Sequence, residues 1–283
     1  MPENAVSRTA RAGRHVIAYD ESGPPDGPPV VLLHGLASDA ATWDRAAQHL
    51  AAHGLRVLAV DLLGHGRSDK PAGDYLLDDF ADSLDAFFPA VGLESATVCG
   101  HSLGGAIAVH FAAQYPHRVD RLVLVSAGGL GREVHAVLRA ASLPIAPTVL
   151  RLALRPGARR LYRSPRVHRA FGLTPDNLVN LRRAGRALGT PEGQASFFAA
   201  LRGVIEPRGQ RGSFIEMDSL DPELPTLIVW NVGDPVIPVA HARAARAHLA
   251  SSRLVVFPEK GHEPHRRSAE RFAKELAAFI DES

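Results

Sequence analysis

One serine in this chain has neighbours suited to a nucleophile. In "TVCGHSLGGAIAVHFA", residues 97–112, Ser102 lies between Gly100 and Gly104 at the spacing G-x-S-x-G, where an apolar strand-like run gives way to a helical one. A sharp strand-to-helix turn would leave its hydroxyl exposed above a sheet, beside the positive end of a helix. Small neighbours two residues away would let the chain pass without clash. The same residues also suit an ordinary tight turn, because glycine makes up 25 of the 283 residues. Ser102 alone leaves both readings open. Two further residues bear on the choice: Asp234 follows the run "PTLIVWN" (225–231), and His262 follows "SRLVVFP" (252–258).

The elements that must position these three residues are legible as short apolar runs alternating with segments of helical period. Runs at 29–34, 55–61, 95–100, 120–126, 225–231 and 252–258 are continuously apolar, as expected of strands buried on both faces, and an edge strand is expected around 14–20. Helical spacing marks 41–53, 77–91, 103–115, 239–250 and 264–281. This alternation predicts an α/β protein with a mostly parallel central sheet flanked by helices. In such a sheet the ends of the strands before Ser102, Asp234 and His262 share the carboxyl edge, where sites in open α/β folds form. The alternation breaks once. Residues 127–212 show no strand pattern, and prolines at 144, 147, 156, 165, 175, 191 and 207 would divide the helices into short pieces. A core of 1–126 and 213–283 with a helical cap inserted at 127–212 is expected.

The order Ser, Asp, His, together with "LLHGLASDAATW" and "VDLLGHGRSDKP" upstream, resembles the α/β-hydrolase superfamily over residues 14–281. The resemblance implies Ser102 as nucleophile, His262 as general base and Asp234 as the carboxylate that orients the histidine. It also implies that the backbone amides of Leu36 and Leu103 form an oxyanion hole, with His34, Gly35, Gly100, His101 and Gly104 supporting the two motifs. Asp61 matches a loop-shaping position and is expected to form a turn. Asp218 and Asp221 precede their strand and fall at the wrong edge, and Ser126 occupies the place where some members carry the acid. His265 lies outside the glycine-histidine turn. A serine nucleophile disfavours dehalogenase and epoxide hydrolase activities. The expected activity is carboxylic ester hydrolysis through an acyl-enzyme. Alternatives are a carbon–carbon bond hydrolase of diketo acids, a cofactor-free perhydrolase, or a ligand-binding protein that keeps the fold without turnover.

Composition sets the remaining expectations. With 46% apolar and 22% charged residues the chain can bury a full core, and its formal net charge of +2 gives no reason to invoke nucleic acid. The single cysteine, Cys99, excludes an internal disulfide and a cysteine-based zinc site, and is expected to be a buried, inert thiol. No metal or other cofactor is called for, and "GHGRSD" lacks the lysine and spacing of a phosphate loop. The first twenty residues have no apolar stretch of signal-peptide type, and no run is long enough to span a bilayer, so a cytoplasmic protein is expected. Leu, Val and Phe in the cap, including Phe171, Phe197 and Phe198, predict a small-molecule ester substrate with an apolar acyl group. Residues 127–212 also carry fifteen arginines against four acids. That excess would suit either a solvated surface or attraction of anionic substrates or an anionic lipid surface, with Arg159, Arg160 and Arg163 as its densest cluster.

Overall fold

The computed structural model describes residues 5–153, 185–211 and 219–282. Eight strands form one sheet: β1 (Val6–Ala12), β2 (His15–Ser22), β3 (Pro29–Leu33), β4 (Arg56–Val60), β5 (Ala96–His101), β6 (Val119–Val125), β9 (Thr226–Gly233) and β10 (Ser252–Lys260). Their order is β1-β2-β4-β3-β5-β6-β9-β10, antiparallel over the first two pairings and parallel from β4 to β10. The numbers β7 (Ile205–Glu206) and β8 (Gly209–Gln210) fall to a separate two-stranded hairpin.

The continuous apolar runs are explained by burial on both faces. In β3, Val31 and Leu33 point into one core and Val30 and Leu32 into the other, all fully buried. Helices α2 (Leu77–Ala90), α3 (Leu103–Gln114) and α7 (Ala240–His248) close the first core, and Phe80, Phe87 and Phe111 from α2 and α3 are fully buried in it. Helices α1 (Asp44–Ala52) and α9 (Ala269–Asp281) close the second through Leu50, Phe272 and Leu276. Cys99 is buried in β5 as a free thiol, and burial raises its pKa.

Between β6 and β9 the chain leaves the sheet to form α4 (Ala136–Ala141), α5 (Ala146–Ala153) and α6 (Pro191–Val204), and then the β7–β8 hairpin. That hairpin corrects the expectation of no strand between 127 and 212. Two residues per strand are too few to leave a period-2 pattern. Two other elements also differ from expectation. The sequence "VSRTARA" forms β1, and its mostly exposed side chains leave no apolar run to announce it. The helix expected over 264–281 is divided at Ser268 into α8 (Pro264–Arg267) and α9.

Candidate active site

Ser102 sits at the junction of β5 and α3 with φ 55° and ψ −116°, a left-handed conformation costly for any residue with a Cβ. Its amide donates to Val125 O at 3.1 Å, and its carbonyl accepts from Gly105 N at 3.0 Å and Gly128 N at 2.8 Å. These bonds on both sides hold the strain in place. The flanking glycines are sterically required: a Cβ at Gly100 would fall on the carbonyl of Gly104, and one at Gly104 on the carbonyls of Leu33 and His34. The close pass that the sequence motif implied is therefore present in the backbone.

Asp234 and His262 meet at the same edge. His262 Nδ1 and Asp234 Oδ2 are 2.8 Å apart, and the Asp234 side chain is fully buried. Asp234 Oδ1 accepts from the amides of Val236 at 2.8 Å and Ile237 at 3.1 Å. Burial alone would raise the Asp234 pKa. The His262 hydrogen bond and charge, with the two amides, outweigh it and hold the carboxyl below the usual range. The opposite ring nitrogen, His262 Nε2, is buried and makes no hydrogen bond among the described residues.

Three groups pin the His262 turn. Asn231 Nδ2 donates to Gly261 O at 2.8 Å, Gly261 N donates to Gly233 O at 3.1 Å, and the carbonyl of His262 lies 2.9 Å from His101 Nε2. A neutral His101 donates that bond. Burial and the neighbouring His262 push its pKa down to about 3. Its ring packs 4.8 Å from that of His262 and 4.6 Å from that of His265, which lies 4.1 Å from Trp43. His265 is thus part of an aromatic stack behind His262. Asn231 was missed at the sequence level, although a polar residue inside the apolar run "PTLIVWN" was its signal.

On the other side of Ser102, the loop after β3 comes so close that a Cβ on Gly35 would lie 3.1 Å from both Ser102 Cβ and His101 Nδ1. His34 Nε2 accepts from Leu62 N at 3.1 Å, and its Nδ1 lies 2.7 Å from Gly35 O, tying this loop to the end of β4. Asp61 holds a turn, as expected. It is fully buried and accepts from Ala40 N at 2.7 Å, Arg67 N at 2.9 Å and Arg67 Nε at 2.7 Å. Ser126 follows β6 with φ 45° and a buried hydroxyl that makes no hydrogen bond. Asp221 lies before β9 at the opposite edge, and Asp218 is outside the described residues.

Leu36, Ser102 and Leu103 line one cavity of about 150 Å³. Its other walls are mostly apolar, including Leu77, Val134, Leu138, Val204, Ile205, Val236 and Ile237. Phe197 and Phe198 do not line it, contrary to expectation, and Phe171 lies outside the described residues. Gln210 reaches down from β8: its Oε1 accepts from Gly129 N at 2.8 Å and its Nε2 donates to Glu133 O at 3.2 Å. Among the described residues there is no cluster of ligands for a metal ion, and no helix is long and apolar enough to cross a membrane.

A strained serine after β5, a buried acid after β9 and a histidine after β10 are the arrangement of a hydrolase on a parallel sheet. A family model described as the alpha/beta hydrolase fold matches residues 28–266, and the chain belongs to that family. It is 38% identical over 261 residues to an uncharacterized protein of Mycobacterium tuberculosis, covering 90% of this chain and 76% of that one. It is 30% identical over 263 residues to a pimeloyl-[acyl-carrier protein] methyl ester esterase of Nitrosomonas europaea, covering 87% and 93%. Among solved structures it resembles a bacterial membrane phospholipase A with a TM-score of 0.77 and 26% identity, over 98% of this chain and 86% of that one.

Proposed function

We propose that this protein is a serine-dependent carboxylic ester hydrolase of the cytoplasm, working through an acyl-enzyme, with residues 127–212 as its cap. The observation that carries this reading is His262. One ring nitrogen is held by a buried Asp234 and the other is buried without a partner, at the edge where Ser102 is held in a left-handed turn.

On this reading Ser102 Oγ attacks the ester carbonyl as its proton passes to His262 Nε2. The carbonyl oxygen becomes an oxyanion that accepts hydrogen bonds from the amides of Leu36 and Leu103. Asp234 holds the imidazole in the tautomer that can accept this proton and stabilises the imidazolium that results. Collapse breaks the bond to the alcohol oxygen, which leaves with the proton from His262. Water then gives its proton to His262 as its oxygen attacks the acyl carbon, and the acid departs as Ser102 is restored. The apolar lining of the cavity supports an apolar group next to the reacting carbonyl, and the named esterase relative supports ester chemistry.

A fluorophosphonate probe tests the nucleophile: the parent protein is expected to be labelled and Ser102→Ala not. A panel of nitrophenyl esters tests the substrate, with kcat/KM expected to be higher for hexanoate or octanoate than for acetate. Absence of labelling in the parent would favour a binding protein. Labelling without ester turnover would overturn the substrate half of the reading.

A further inference from the structure

Next to the narrow cavity at Ser102 lies a wider groove of about 910 Å³. Gly203 and Arg211 line both, so the two spaces share a wall. Among the described residues, the charged side chains of the groove are Arg151, Arg202, Arg211 and one acid, Asp74. They come from separate elements: Arg151 from the last turn of α5, Arg202 from the last turn of α6, and Arg211 from just after β8. The Arg202 guanidinium lies over the Phe198 ring at 5.7 Å, a contact that orients it without neutralising it.

None of these three arginines forms an ion pair with a described carboxylate. Several arginines elsewhere are closely paired. Arg67 bridges Asp20 and Asp61 at 2.8 and 2.7 Å, Arg118 meets Asp85 at 2.7 Å, and Arg56 meets Glu21 at 2.8 Å. Three guanidiniums beside one described acid favour an anion that displaces the water between them, and their forked donors match the oxygens of carboxylate and phosphate. The apolar cavity, by contrast, suits the part of a substrate beside the scissile bond.

We propose that the ester handled at Ser102 carries an anionic oxyacid group, carboxylate or phosphate, on its non-reacting end, and that Arg211, with Arg151 and Arg202, receives that group. The inference rests on the reading of Ser102 as nucleophile. It assigns anion attraction to these three residues; Arg159, Arg160 and Arg163 lie outside the described residues.

The test uses nitrophenyl esters of equal acyl length ending in a methyl group, a carboxylate or a phosphate. At low salt the better anionic ester is expected to exceed the neutral one in kcat/KM by about tenfold, the scale of a hydrogen bond to a charged group. This ratio should shrink as salt rises from about 0.05 to 0.5 M, because Arg151 and Arg211 are exposed, Arg202 is half-buried, and screening acts over about 10 Å at 0.1 M. Arg211→Gln is expected to remove most of the ratio and Arg151→Gln or Arg202→Gln about threefold each, consistent with partly screened contacts. Arg208→Gln removes the same charge outside the groove and should leave the ratio in place. The two anionic arms identify the group by whichever shows the larger ratio. A ratio near one at low salt, or one that survives Arg211→Gln, overturns the proposal. Calorimetric titration of Ser102→Ala with the carboxylate ester, with and without Arg211→Gln, reads the anion site without turnover. If no ester of any kind is hydrolysed but Arg211→Gln weakens this binding, the reading of Ser102 fails while the anion site stands.

Discussion

The carboxyl edge of the sheet and the helices that follow β6 are both rich in Leu, Ile and Val, yet they bury these residues very differently. Around Ser102, side chains such as Leu33, Val98, Leu124 and Val229 are fully buried. In α4, α5 and the turn between them, Val137, Leu143, Ile145, Val149 and Leu152 rank among the exposed large hydrophobics of the described residues. On the proposed function a serine, its base and its acid must stay aligned, and dense packing beneath them supplies that alignment at little entropic cost when substrate arrives. The helical segment contributes walls to a cavity, and walls can vary without disturbing the chemistry. On the proposed function, the reaction resides in one region and the choice of substrate in the other.

The largest expected effect tests the rigid region. Asp234→Asn keeps the size of the side chain but removes its charge and favours the wrong histidine tautomer, because an amide NH₂ can donate to Nδ1. The expected outcome is a loss in kcat of about 10⁴-fold, the scale known for the same change in serine proteases, with the thermal unfolding midpoint little changed. Near-normal turnover in a folded Asp234→Asn protein would show that another group orients His262.

A smaller effect, on stability, follows from two buried histidines at this edge. His101 and His65 have pKa values pushed down to about 3, in each case first by burial and then by a neighbouring histidine, His262 and His34 respectively. Folded, both rings stay neutral to about pH 3; unfolded, they gain a proton near pH 6.5. Between those values the unfolded chain binds more protons, so stability falls as pH drops below about 6.5 and returns as pH rises. Each histidine should contribute about 1 kcal/mol of loss between pH 7 and pH 5.5. His262, Glu263, Asp234 and His265 all influence or contact His101, so the comparison that isolates it is denaturant unfolding of His101→Gln beside the parent. The variant should show the shallower dependence on pH, and equal slopes would remove His101 from the account.

How much of this was legible in the sequence follows the same division. Strands β3 to β6 and β9 were readable because burial on both faces forces continuous apolar runs, the half-buried edge strand β10 because "LVVF" stays apolar, and the ends of such strands set Ser102, Asp234 and His262 at the same carboxyl edge. The glycines at 35, 100 and 104 were readable as motif positions, while the atoms they avoid needed the backbone. Strand β1 was hidden because most of its side chains face water and only two small ones, Ala10 and Ala12, enter the core. The β7–β8 hairpin was hidden by its length. The roles of Asn231 and Gln210 depend on hydrogen bonds to Gly261 and Gly129, thirty and eighty-one residues away, which no local pattern encodes.

The smallest expected effect concerns the exposed face. Ile145 stands in the turn between α4 and α5 with 64% of its surface exposed and does not line the Ser102 cavity. Burying a side chain of this size contributes about 1.5–3 kcal/mol when complete, and only a small part of that is realised here. Ile145→Ser should therefore change folding stability by no more than about 0.5 kcal/mol, as most surface substitutions do. Leu33→Ala, in the sheet below, is expected to cost about 2–5 kcal/mol. Urea unfolding of both variants beside the parent measures the contrast directly, with equal denaturant dependence required for the midpoints to be compared. A loss above about 1.5 kcal/mol for Ile145→Ser would mean that this face is covered in the folded protein. The division between a packed edge that reacts and an open segment that selects would then no longer hold at Ile145.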